Sequence, residues 1–125
     1  MRVLICGDRN WTDREMIREW VQDFNAKCGI LRCFGTVIHG AAKGADMIAH
    51  EEVLKCEYLR PNAYPADWKK HGKAAGPIRN QQMLEEGHPV QVIAFHDDIE
   101  NSKGTGHMVR IARAAGIPVE VRSHS

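Results

Sequence analysis

The sequence predicts an α/β fold with a mainly parallel sheet of about five strands covered by helices on both faces. Short apolar runs at Val3-Leu4-Ile5, Thr36-Val37-Ile38-His39 and Val90-Gln91-Val92-Ile93-Ala94-Phe95 alternate with stretches whose apolar residues recur at helical spacing. Parallel strands need crossovers, these are right-handed, and the loops that follow the strands then share one edge of the sheet. Three glycine-containing segments fall where those loops run into helices: His39-Gly40-Ala41-Ala42-Lys43-Gly44-Ala45-Asp46, Ala75-Gly76-Pro77-Ile78-Arg79-Asn80 and Ser102-Lys103-Gly104-Thr105-Gly106.

Val3-Leu4-Ile5 reads as a buried strand ended by Gly7-Asp8-Arg9-Asn10. Thr12-Asp13-Arg14-Glu15 has the form of a capping box, and Met16, Ile17, Trp20, Val21 and Phe24 form the apolar stripe of a helix ending near Gly29. After the second strand and its glycine loop, Ala45, Ile48, Ala49 and Val53 share one helix face. A third strand falls within residues 58–64, where Pro61 and Pro65 shorten it or push it to an edge. Residues 66–76 form a polar, basic connection, and Pro77 suits the first position of a third helix. Pro89-Val90-Gln91-Val92-Ile93-Ala94-Phe95 is the clearest strand. The last helix begins near Thr105, presents Met108, Ile111, Ala112 and Ala115, and stops at Gly116 before a strand around residues 119–121.

The chain has 125 residues, the length of one domain spanning residues 1–125. Its 43% hydrophobic and 26% charged residues belong to a globular protein rather than a disordered one. Seventeen Lys and Arg against sixteen Asp and Glu leave a net charge of +1, without the global basicity of non-specific nucleic-acid binders. Cys6, Cys28, Cys33 and Cys56 are scattered and read as reduced thiols. The apolar start reaches Gly7-Asp8 too soon for a secretory segment, and no run approaches a membrane span, so a cytoplasmic protein without membrane contact is expected.

The helix starts at the glycine segments direct free N–H groups at one rim and favour an anion, most simply phosphate. Neither G-x-x-x-x-G-K-[ST] nor G-x-G-x-x-G is present, which argues against Walker-type ATP hydrolysis and dinucleotide oxidoreduction. Residues 40–46 are either a structural turn or a place where ligand approaches backbone, with Asp46 as helix cap or ribose acceptor. Arg79, following Pro77 in the first turn of its helix, suits an anionic partner or a fork to a nearby carboxylate. Gly104-Thr105-Gly106 would wrap phosphate or simply cap a helix. Trp68 reads as an apolar plug pinning its loop, with a base-stacking lid as the alternative. Cys6, at the end of a buried strand, reads as core rather than nucleophile. The histidines show no metal-binding spacing, and no cofactor is implied.

Taken in order, Gly7-Asp8-Arg9, the segment from His39 to Asp46, Trp68-x-x-x-Gly72-x-x-Ala75-Gly76-x-x-Arg79-Asn80-x-x-Met83 and Gly104-Thr105 resemble the SLOG superfamily, named for Smf/DprA and LOG, and within it the YspA/YpsA-related branch. The resemblance runs from about Arg2 to Val121. It implies a Rossmann-like, three-layer α/β/α fold that binds nucleotides or nucleotide-derived molecules. Gly7, Arg9, Gly40, Lys43, Gly44, Asp46, Arg79, Asn80, Gly104 and Thr105 would surround the ligand. A homo-oligomer, dimer or larger, is implied in the same way. LOG proteins hydrolyse the N-glycosidic bond of nucleoside monophosphates and carry R-K-x-x-M and P-G-G-x-G-T-x-x-E segments. Arg79-Asn80-Gln81-Gln82-Met83 is similar to the first, so Arg79 matches the family's functional arginine. Gly104-Thr105-Gly106-His107-Met108 follows the second but places Met108 where the catalytic glutamate would be, and a thioether offers no acid–base chemistry.

Three functions follow as expectations. The first is a sensor or sequestering module for a nucleotide-derived, NAD- or ADP-ribose-like molecule. The second is a nucleotide N-glycosidic hydrolase with a rearranged carboxylate, Asp46, Asp97 or Asp98. The third is a Smf/DprA-like single-strand nucleic-acid binder, supported by Trp68, Lys69, Lys70 and Lys73 but opposed by the near-neutral charge.

Overall fold

The first apolar run becomes the central strand β1 (Arg2–Gly7) of a five-stranded parallel sheet. It lies between β2 (Gly35–His39) and β4 (Gln91–Phe95), and β3 (Leu59–Ala63) and β5 (Val119–Arg122) form the two edges, giving the order β3-β2-β1-β4-β5. This is the Rossmann-like arrangement expected, in a computed structural model that describes residues 1–124. Strand Leu4 pairs with Ile38 on one side and Val92 on the other. Alternate strand residues face opposite layers, as the two-residue period requires. Val3, Ile5, Val37, Ile93 and Phe95 pack with residues of α1 (Arg14–Leu31) and α2 (Ala45–Val53). A single turn, α3 (Trp68–His71), follows β3. Leu4, Cys6, Ile38, Val92 and Ala94 pack with α4 (Ala75–Gly87) and α5 (Gly104–Ala114).

The strand order reverses beside β1: the chain first builds outward through β2 and β3, then returns to place β4 on the other side. Loops after β1 and β4 therefore leave toward opposite layers and open a crevice at the carboxyl ends of the strands. Pro61 lies at the β3 edge, opposite Val37, where its missing N–H costs no inner ladder bond.

Four local expectations shift. The α1 cap is Asp13, whose carboxylate accepts the Met16 N–H at 3.2 Å, rather than Thr12. The helix continues to Leu31 and stops on Arg32 in the left-handed region, because a Gly29 within an amphipathic run weakens a helix without ending it. Residues 66–76 are not an open connection: Asp67 caps α3 through the Lys70 N–H, and a 3-10 turn at Gly72–Ala74 leads straight into α4. Pro77 is accordingly the third residue of α4, still among the N–H groups that need no intrahelical partner. Among the described residues no helix is long and apolar enough to cross a membrane.

A buried carboxylate locks α1 to α2 and so holds the start of α2 against the sheet. Glu52 is 3% exposed and accepts from Arg14 at 2.7 Å, Arg18 at 3.1 Å and Lys55 at 3.0 Å. Burial alone would push this carboxyl up, but the three cations outweigh it and hold it at about 2. Its contribution is complete above the ordinary 4.5 and is lost as pH falls through about 2. Because the cations are partly solvated, Glu52→Gln should cost about 1–3 kcal/mol at neutral pH. Denaturant unfolding should show the gap between wild type and variant narrowing steadily from pH 4.5 toward pH 2; a constant gap would contradict the ion-pair account.

Candidate functional site

The crevice beside β1 holds two adjoining chambers whose shared wall is Arg9, Ala42 and Arg79. The first, of about 400 Å³, lies between the ends of β1 and β4 and the start of α5. The second, of about 670 Å³, lies over the loop after β2 and reaches Trp68.

Gly7 ends β1 where no side chain fits: an added Cβ would meet the Phe95 carbonyl oxygen and lie 2.6 Å from the Ala45 Cβ. The tight junction continues through Asp8, whose carbonyl accepts the N–H groups of Trp11 and Ala45, both at 3.1 Å. Arg9 is thereby displayed at the crevice and lines both chambers. Gly44 has φ +76, and a Cβ there would run into the Asp8 and Arg9 backbone, so its glycine is required by packing; Gly44 lines neither chamber.

The loop after β2 is closed on itself. Asp46 does not cap α2; its Oδ2 accepts the N–H groups of Gly40 at 3.0 Å and Ala42 at 3.2 Å, and the Ala41 N–H donates to His39 Nδ1 at 3.0 Å. These N–H groups are already occupied and do not form the open anion cradle that the glycine spacing suggests. Ala41 is held in the left-handed region at φ 57, a geometry costing a non-glycine residue roughly 1–2 kcal/mol. His39 is fully buried, and its Nδ1 is the acceptor from Ala41, so its Nε2 carries the proton and donates to His50 Nδ1 at 2.9 Å. Burial first, then His50 and Arg79, pull the His39 imidazole down to about 4.

Asp46 is 6% exposed and borders the first chamber. Burial raises its carboxyl to about 6, against the lowering pull of Ala42, Arg79 and Gly40. Burial and Asp46 both push the Cys6 thiol up, so Cys6 stays a protonated wall residue, as expected of a core cysteine.

Arg79 stands two residues further into its helix than expected, because α4 begins at Ala75 rather than Pro77. Its Nη1 donates to the Gly40 carbonyl and, at 3.5 Å, to that of Tyr64, while Nε donates to Asn80 Oδ1 at 3.0 Å. A Cβ on Gly40 would occupy the guanidinium's place, which accounts for that glycine. Asn80, 4% exposed, donates through Nδ2 to His107 Nδ1 at 3.1 Å and the Gly104 carbonyl at 3.3 Å. Asn80 thus joins α4 to the start of α5 and orients Arg79 from within.

The start of α5 is the most open part of the crevice. Ser102 Oγ accepts the Thr105 and Gly106 N–H groups at 3.2 and 3.3 Å. Gly104 differs from Gly7, Gly40 and Gly44: a Cβ there would meet nothing within 4 Å. Thr105 is 7% exposed and lines the first chamber, and among the described residues no buried side-chain polar atom lacks a hydrogen-bond partner. Arg9, Lys43 and Lys103 face the chambers without an ion-pair partner among the described residues. Met108, 1% exposed, and Met83 supply an apolar floor. Among the described residues no cluster of three His, Cys, Asp or Glu is arranged to hold a metal ion.

Nine of the ten expected residues thus border a chamber; Gly44 is the exception. Asp97 and Asp98 line neither chamber, and Asp97 instead binds His124 at 2.8 Å. Trp68 is 55% exposed, which overturns its reading as a plug. Ser102, Asp8 and His96 were not singled out as site residues. A Ser two residues before a helix and a His directly after the last buried strand residue were available signals.

The family model described as the YspA, cpYpsA-related SLOG family matches residues 1–71. The chain is also 38% identical over 124 residues to the Gene 61 protein of Mycobacterium phage D29, spanning 94% of this chain and 93% of that protein. No solved structure matches it. The chain belongs to the YspA, cpYpsA-related SLOG family.

The raised Asp46 carboxyl has a definite pH signature. A folded value of about 6 against an ordinary 3.8 means that its contribution to stability is full below 3.8 and is lost as pH rises through about 6. Asp46→Asn keeps an acceptor for Gly40 and Ala42 but removes the titration. The variant should gain on the wild type by up to about 3 kcal/mol between pH 4 and pH 7 in denaturant unfolding. Parallel stability profiles would show that the carboxyl is not desolvated.

Proposed function

We propose that this SLOG-family chain binds a nucleotide or nucleotide-derived small molecule, as a sensor or sequestering module, with the phosphate at the start of α5. The observation that carries this reading is the combination at Gly104-Thr105: open space in place of a Cβ, a threonine on the chamber wall, and the cations Arg9 and Lys103 lining the same chamber without an ion-pair partner among the described residues. The uncapped N–H of Gly104 and the helix dipole add a fixed positive end. The binding reading is preferred to turnover because Met108 occupies the catalytic glutamate's position in the LOG pattern. Asp46 favours a second reading, an N-glycosidic hydrolase, since a carboxyl near 6 on the chamber wall is suited to general acid–base work.

Nucleoside monophosphates should raise the melting temperature, and their nucleosides should do so much less, because the anion supplies most of the affinity. Thr105→Val, nearly isosteric, should weaken nucleotide binding by about 1 kcal/mol with little change in the free protein's stability. Equal shifts from nucleoside and nucleotide would contradict the phosphate site. The two readings separate in a base-release assay: a binder leaves nucleoside monophosphates intact, whereas release abolished by Asp46→Asn would establish the hydrolase.

A further inference from the structure

The second chamber has its own chemistry. Arg9, Lys43 and Arg79 border it, among the described residues no carboxylate does, and the Trp68 indole stands on its wall beside Pro65. The indole is half out of the protein, yet its backbone is fixed. Asp67 accepts the Lys70 N–H at 3.1 Å through its side chain and the His71 N–H at 3.0 Å through its carbonyl. The Gly72 N–H, on a residue at φ +56, closes the turn onto the Trp68 carbonyl. A Cβ added at Gly76 would lie 3.5 Å from the far edge of the indole, so α4 abuts the ring without covering it. Trp68 is therefore an aromatic surface on a fixed backbone, presented to a cationic chamber.

An exposed indole held this way offers a flat, polarisable face to a flat partner, while the surrounding cations select against a cationic one and favour a ligand carrying negative charge. A base attached to a phosphorylated sugar combines both properties. The chambers meet along Arg9, Ala42 and Arg79. We infer that the second chamber is the nucleobase subsite, in which Trp68 stacks on the base of the nucleotide whose phosphate lies at Gly104-Thr105. The inference rests on the nucleotide reading above and assigns the base half of the ligand to a residue outside the three glycine segments. Stacking on an indole tolerates any base, so the subsite sets affinity for nucleotides in general and ranks purines above pyrimidines by overlap area.

The test titrates AMP, GMP, CMP, UMP and ribose 5-phosphate against wild type, Trp68→Ala and Trp68→Phe by calorimetry. Wild type should bind the four nucleotides more tightly than ribose 5-phosphate. Trp68→Ala should weaken the nucleotides by about tenfold or more and ribose 5-phosphate by less than about twofold, and Trp68→Phe should retain most of the nucleotide affinity. Nucleotide affinities unchanged by Trp68→Ala, or an equal loss for ribose 5-phosphate, would overturn the base subsite while leaving the phosphate site intact. Failure of all five compounds to bind the wild type would overturn the nucleotide reading and the subsite with it.

Discussion

The Asp46 carboxylate, folded back to take the N–H groups of Gly40 and Ala42, is the interaction on which the crevice depends. It sits in the first turn of α2, yet binds the loop before the helix rather than the helix itself. That choice turns residues 40–44 into a closed ridge. The ridge in turn offers the Gly40 carbonyl to Arg79, and Arg79 is held on its other side by Asn80. Asn80 reaches the start of α5, so one buried carboxylate is linked through a short chain of hydrogen bonds to the helix end where an anion would sit. Without the ridge, the wall between the two chambers has no support.

The same arrangement separates structural charge from available charge. Arg14, Arg18 and Lys55 are taken up by Glu52, and Arg122 by Glu120, away from the crevice. Arg9, Lys43 and Lys103 are left facing it. In a chain of net charge +1 the crevice therefore gathers Arg9, Lys43, Arg79 and Lys103 against Asp8 and Asp46, an excess of cations that composition alone conceals. Arg79 stands between the two groups: burial lowers its pKa, Asp46 opposes that, and its Nη1 and Nε are already used within the protein. Its first task is to shape the wall, and contact with a ligand would use the guanidinium donors that remain.

Most of the fold is legible because apolar runs and helical stripes alternate outside residues 58–76, and the order of the glycine segments places the loops that meet at the sheet's edge. The start of α5 was legible for the same reason, since Gly104-Thr105 marks both a helix start and a backbone left bare. Other features depend on contacts that local pattern does not carry. A four-residue helix such as α3 is too short for any periodicity to show. Asp46 satisfies the usual description of a helix cap, and only the return path of the loop diverts it. His39 and His50 meet because α2 packs over the end of β2. His124 stacks on Trp11 at 4.7 Å and bridges Asp13 and Asp97, joining the tail to two loops more than twenty residues away. An aromatic residue in a polar stretch is expected to bury itself, whereas Trp68 is left in the open on its capped turn beside Gly76.

The account stands on an anion being held at the start of α5, between β1 and β4. Chemical-shift mapping of the ¹⁵N-labelled chain during titration with AMP tests this residue by residue. The largest amide shifts should fall on Lys103, Gly104 and Thr105, with Arg9 and Ala42 next. Saturable shifts confined to the opposite end of the sheet, around Leu31 and Phe34, or no shifts at any concentration of AMP, would contradict it.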